Sequence, residues 1–170
     1  MLPRMITTRL AGVLLLLSTG AVAGCGVLDY GCSQRDRNYS VTLDDATILT
    51  VHPPGAEEVG AYSGCDDDDG FAYAGREFRS TLTRDEIIEF HRRAATEDGW
   101  QWQGDGTPIP SSGLVTSAAA TCLTKQIDGA TAYFSVWFPS DFNGLPDQEA
   151  APTDEYGLSL TGSHDGAAWC

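Results

Sequence analysis

Five cysteines, at positions 25, 32, 65, 122 and 170, constrain this chain more than any other feature. An oxidised pair holds two backbone points within about 7 Å of each other, so cysteines decide which folds remain open. The spacings contain no C-x-x-C, which argues against a zinc site or a redox motif. The count is odd, so one cysteine must stand apart if the others are to pair. What precedes Cys25 sets it apart.

Arg4 and Arg9 form a positively charged start, and residues 10–22 are an apolar run broken only by Ser18, Thr19 and two glycines. The length and charge are those of a signal peptide, and the run is too short for a comfortable transmembrane helix. Val22-Ala23-Gly24-Cys25 then resembles the bacterial lipobox: an aliphatic residue, two small residues and a cysteine. The resemblance implies a diacylglyceryl thioether on Cys25 and cleavage before it. A thiol is required because the thiolate is the nucleophile. Each buried CH₂ contributes about 0.8 kcal/mol, so two acyl chains anchor stably where one would not. The division that follows is a signal peptide over residues 1–24, a lipid-anchored tether over 25–40 and an α+β domain over 41–170. The implied location is the extracytoplasmic face of the cell membrane, with the bilayer as a partner through Cys25.

Of the 170 residues, 146 follow Gly24, enough for one core and one domain. Arg4 and Arg9 leave with the signal peptide, which takes the formal charge from −14 to −16. Such a surface repels nucleic acid and anionic headgroups, so no nucleic-acid partner is expected and the lipid must hold the protein at the membrane. With Cys25 lipidated, Cys32, Cys65, Cys122 and Cys170 remain, an even four that reads as two disulfides in an exported domain.

Along the chain, residues 26–38 read as a polar tether, and residues 48–51 as a strand, with one helical turn starting at Asp44 as the alternative. Pro53-Pro54-Gly55 is a turn signal. Residues 58–63 and 71–79 read as strands, the second with Phe71 and Tyr73 on one side and Ala72, Ala74 and Phe78 on the other. Thr83 and Glu86 form a capping-box pair ahead of a helix whose apolar stripe is Ile87, Phe90, His91 and Ala94, with Gly99 as its stop. Trp100 and Trp102 follow at strand spacing and share a face on which the helix packs. Residues 115–126 and 130–138 read as strands, the second returning from an Asp128-Gly129 hairpin turn, and residues 156–161 as the last strand. Residues 104–113 and 139–154 read as loops.

A helix ending at Gly99-Trp100, flanked by cysteine-bearing strands, resembles a unit of small exported bacterial lipoproteins of unknown function. The resemblance spans residues 53–122 and implies an antiparallel sheet with one helix across it, but no activity. The fold class expected is therefore α+β: a single small domain, an antiparallel sheet and one main helix packed on one face. Four cysteines allow three pairings. Cys65–Cys122 is favoured because both sit at strands flanking the helix, and Cys32–Cys170 then ties the ends of the domain.

The residues offer little chemistry. An EF-hand loop with Gly70 at its sixth position would begin at Cys65 and end at Arg76, where aspartate and glutamate are required. The aspartates at 66–69 therefore read as a solvated acidic loop. His52, His91 and His164 lack metal-ligand spacing, so neither a metal nor another cofactor is expected. Ser163-His164-Asp165 has triad residue types, but sequence neighbours rarely converge as a triad does. A small envelope hydrolase using His164 or His91 is the enzyme alternative, and a structural surface protein is a third reading. The favoured reading is a non-catalytic binding module. In residues 130–138, Ala132, Phe134, Val136 and Phe138 alternate with Tyr133, Ser135 and Trp137. If the first set faces the helix, Tyr133 and Trp137 mark a candidate binding face on the other side. Its partner would be an envelope protein, peptide, glycan or lipid, or else residues 139–154 or the tail with Trp169 cover it.

Overall fold

Two β-hairpins from opposite halves of the chain are zipped together by its last strand. The structure, a computed structural model, describes residues 31–104, 121–142, 152–164, 168 and 170. The first hairpin is β1 (Glu57–Asp66) and β2 (Phe71–Arg79). The second half supplies β3 (Gln101–Gly104), β4 (Cys122–Ile127) and β5 (Ala130–Trp137). Strand β6 (Glu155–Gly162) pairs antiparallel with both β2 and β5, giving the order β1-β2-β6-β5-β4-β3. Tyr156, Leu158 and Leu160 of this central strand are fully buried. The fold is α+β with an all-antiparallel sheet, as expected.

Helix α2 (Arg84–Glu97) begins as its sequence requires. The Thr83 hydroxyl accepts from the Glu86 N–H, and the Glu86 carboxylate accepts from the Thr83 N–H at 2.9 Å. Gly99, at φ 85°, closes the helix with a bond from its N–H to the Thr96 carbonyl. Ile87, His91 and Ala95 are the buried positions. Asp128 and Gly129 both take positive φ, 48° and 78°, at the turn between β4 and β5. That is the primed turn whose twist suits a hairpin.

A second helix was not anticipated. The tether expected through residue 40 ends sooner, because α1 spans Gln34–Asp44. Ser33 caps it by accepting from the Asp36 N–H at 3.1 Å. Its buried positions are Asp36, Tyr39, Ser40 and Leu43, a helical repeat in which two members are polar. Both helices lie on one sheet face and share one core with Ala72, Ala74, Phe78, Leu123, Ala132, Phe134 and Val136. Residues 48–51 form no strand: Thr47–Leu49 is a 3₁₀ turn that buries Ile48 and Leu49.

The disulfides pair differently from the favoured arrangement. Cys32 bonds Cys65, and Cys122 bonds Cys170. The sheet order explains why. Cys65 lies on edge strand β1 and Cys122 on β4, four strand spacings apart, or about 19 Å. They also lie on opposite faces, since Cys65 aligns with buried Ala72 while Cys122 precedes buried Leu123. No disulfide spans that gap. Trp100 and Trp102 share a parity but not a fate: Trp100 is buried, and Trp102, on edge strand β3, is 42% exposed. Residues 1–30, which carry the signal and lipobox features, lie outside the described residues, as do residues 105–120, most of the expected loop after Phe142, Asp165 and Trp169.

Candidate functional site

Strand alternation builds the face opposite the helices. Along β5 the even positions Ala132, Phe134 and Val136 are buried, while Tyr133, Ser135 and Trp137 are half-buried on the other side. Tyr133 aligns with Thr124 of β4 and Thr161 of β6, Ser135 with Ser159, and Trp137 with Gly157. The same parity on the first hairpin adds Phe71 and Tyr73 from β2 and Tyr62 from β1. Five strands thus contribute to one surface of aromatic rings, hydroxyls and glycines. Among the described residues, no helix lies on it.

The glycines set the posture of the rings. A Cβ on Gly157 would lie 2.1 Å from the Trp137 indole, so that ring rests flat on the β6 backbone. A Cβ on Gly75 would lie 2.2 Å from the Tyr62 ring, which crosses β2 in the same way. The two rings meet above β6: the Tyr62 phenol hydrogen-bonds with the Trp137 side chain and with Ser159. Burial pushes the Tyr62 phenol above its ordinary pKa, and these two bonds partly oppose the shift. Tyr73 leans over Gly64 and lies 6.3 Å from Tyr62 and 6.5 Å from Phe71, centroid to centroid. Phe71, Thr124, Trp137 and Thr161 already have interactions of their own, so a ligand would extend or replace contacts here.

This surface offers ring faces for stacking and hydroxyls for hydrogen bonding. Tyr133 and Trp137, four residues apart on one strand, are separated by about 13 Å. That spacing matches an extended ligand. Among the described strand residues of this face, formal charge lies at the strand ends: the Arg79–Glu155 pair at 2.6 Å and Glu77 at one end, and Asp66 at the other.

The other candidate groups do not assemble into a reactive site. His91 is fully buried, with Nε2 3.3 Å from the Tyr156 hydroxyl and Nδ1 unpartnered. Burial, with the charge of His52 as a smaller contribution, lowers its pKa to about 4. The His164 ring packs against Tyr39 at 4.8 Å, and its backbone N–H points to Asp36 at 3.4 Å. Ser163 donates to the Gly70 carbonyl. His52 packs on Phe78. The acidic turn uses its carboxylates locally: Asp66 accepts from the N–H groups of Asp68 and Asp69, and Asp67 accepts from the Cys32 N–H at 3.1 Å. Among the described residues no group of three or more His, Cys, Asp or Glu side chains is placed to hold a metal ion. The described helices include none long and apolar enough to cross a membrane.

Sequence alternation located Tyr133 and Trp137 and set Phe71 and Tyr73 on one side of β2, but it did not join those two faces and missed Tyr62 and the ring-bearing glycines. The available signal was glycine at Gly64, Gly75 and Gly157 within the strands, which marks close approach by a neighbour. No family model, curated protein or solved structure matches this chain, so its function is argued from its own residues.

Proposed function

We propose that this chain is a lipid-anchored extracytoplasmic lipoprotein that binds an envelope ligand on the helix-free face of its sheet and performs no catalysis. The observation that carries the reading is the division of labour between the two faces. One face is closed by α1, α2 and the core, while the other sets Tyr62, Tyr73, Tyr133 and Trp137 around Ser135 and Ser159. The anchor is argued from Arg4, Arg9, the apolar run and Val22-Ala23-Gly24-Cys25. Two disulfides suit a chain that works outside the cytoplasm. The acidity of the chain disfavours phosphorylated ligands and favours a neutral or cationic peptide or glycan.

The test has two arms. Intact-mass analysis of the native protein should find a diacylated Cys25 as the first residue, and Cys25→Ser should release the chain from membranes. An unmodified Cys25 in the mature protein ends the anchoring proposal. The soluble domain should retain peptide or glycan from solubilised envelope, and Tyr133→Ala should retain far less, while Arg92→Ala on the outer side of α2 should not differ. Equal retention by all three counts against the face. Turnover of an envelope substrate that disappears with His164→Ala would overturn the non-catalytic reading.

A further inference from the structure

The Cys32–Cys65 disulfide fixes where the described chain begins on the domain. Gly31 and Cys32 are held on the β1–β2 turn by three separate contacts. Cys32 is bonded to Cys65 at the end of β1. Its N–H donates to the Asp67 carboxylate at 3.1 Å. Gly31, at φ 119°, lies so close to Asp67 that a Cβ would be 3.3 Å from its Oδ1. The described chain therefore begins at this turn. Only five residues separate Cys25 from Gly31. Six Cα steps span at most about 22 Å when fully extended.

We propose that the pole bearing the β1–β2 turn faces the bilayer, so that the aromatic sheet face stands upright and opens sideways. The proposal rests on lipidation of Cys25. The register defines what else shares that pole. Gly162 aligns with both Ala72 and Ala132, so the ends of β1 and β6 and the Asp128-Gly129 turn lie together. Arg79 and Glu155 mark the opposite end, where α2 begins. Strand β2 carries the chain about 26 Å from Phe71 to Arg79. That is longer than the tether, so the far pole cannot swing down to the surface while the near pole stays attached, unless the whole domain lies on its side.

Charge keeps the domain from pressing onto an anionic membrane in any posture. The near pole exposes Asp67, Asp68, Asp69 and Asp128, with Arg37, 3.7 Å from Asp67, as a partial counterweight. The cytoplasmic-membrane partner fitted by this pole is therefore a headgroup layer met at a standoff, not a surface the domain inserts into. Repulsion acts over about 8 Å at physiological salt, and the tether is long enough to permit that gap. The face bearing Tyr133 and Trp137 is then approached laterally, by ligands moving along the membrane surface or between neighbouring envelope layers.

Energy transfer to the bilayer tests this with the full lipidated chain. A fluorescent amino acid is encoded at exposed Asp68 or at exposed Thr81, one at a time. Each protein is reconstituted into phosphatidylethanolamine vesicles containing about one-third phosphatidylglycerol and a headgroup-linked acceptor. Transfer from position 68 should exceed that from position 81 by about two-fold or more, given the length of β2 between them. Equal transfer, or stronger transfer from position 81, in protein that floats with the vesicles overturns the orientation while leaving the anchor in place. Protein that fails to float and carries an unmodified Cys25 by intact mass overturns both.

Discussion

Acidification should destabilise this domain through His91 in particular. The imidazole is 0% exposed, packed 5.4 Å from the Tyr156 ring and 6.4 Å from Phe134, with only one ring nitrogen near a partner. Its pKa of about 4 compares with the ordinary 6.5. The unfolded chain therefore takes up a proton on this residue before the folded one does. The associated stability is fully present above about pH 6.5, falls as pH drops, and is spent near pH 4. A shift of this size corresponds to about 3 kcal/mol across the window, of which about 2 kcal/mol is lost by pH 5. Carboxylates add their own slope, so the informative quantity is a difference between proteins. Urea unfolding of the soluble domain and of its His91→Leu variant at pH 7 and pH 5 supplies it. The variant gives up the bond to the Tyr156 hydroxyl, about 1 kcal/mol at neutral pH, but should lose about 2 kcal/mol less than the parent on acidification. Parallel losses in the two proteins would refute the argument that His91 is held neutral by burial.

Further expectations concern the face, the staples and the helix cap. Gly157→Ala forces a methyl into the Trp137 indole and should cost about 1–3 kcal/mol, read as a lower thermal midpoint; an unchanged midpoint with unchanged tryptophan emission means the ring does not lie on β6. Non-reducing peptide mapping should join Cys32 to Cys65 and Cys122 to Cys170, and a Cys65–Cys122 peptide would overturn the connectivity. Closing loops of 33 and 48 residues, each bond contributes about 4 kcal/mol in the chain-entropy account, so Cys32→Ser with Cys65→Ser should lower the denaturation midpoint markedly. Thr83→Ala removes the cap of α2 and should cost about 1 kcal/mol by chemical denaturation, with no loss expected from Thr81→Ala.

Locally encoded parts of this fold were legible in the sequence. The capping box of Thr83 and Glu86, the Gly99 stop, the Asp128-Gly129 turn and the alternation of Phe71–Arg79 each act within a few residues, and the structure has them where they were expected. Helix α1 was hidden because its core-facing stripe includes Asp36 and Ser40, which satisfy themselves with Ser33 and the Arg37 carbonyl and so can be buried without being apolar. Residues 48–51 were ambiguous for a different reason: four residues cannot separate a strand from a single helical turn. The disulfide pairing depends on β6 inserting between β2 and β5, a long-range event with no local signature. The same insertion explains the candidate site. Alternation on β5 identified Tyr133 and Trp137, but Tyr62 and Tyr73 come from a hairpin sixty or more residues earlier and join the surface only through the β2–β6 ladder.

A ligand held as proposed, on the sheet face opposite the helices, lies within crosslinking reach of Tyr133. Photo-crosslinking in intact cells tests it most directly, with a benzoylphenylalanine encoded in place of Tyr133 on one face or of Arg92 on the outer side of α2. Position 133 should give a reproducible adduct, absent in cells carrying Trp137→Ala as well, and position 92 should give none. Adducts from position 92 with none from position 133 would contradict it.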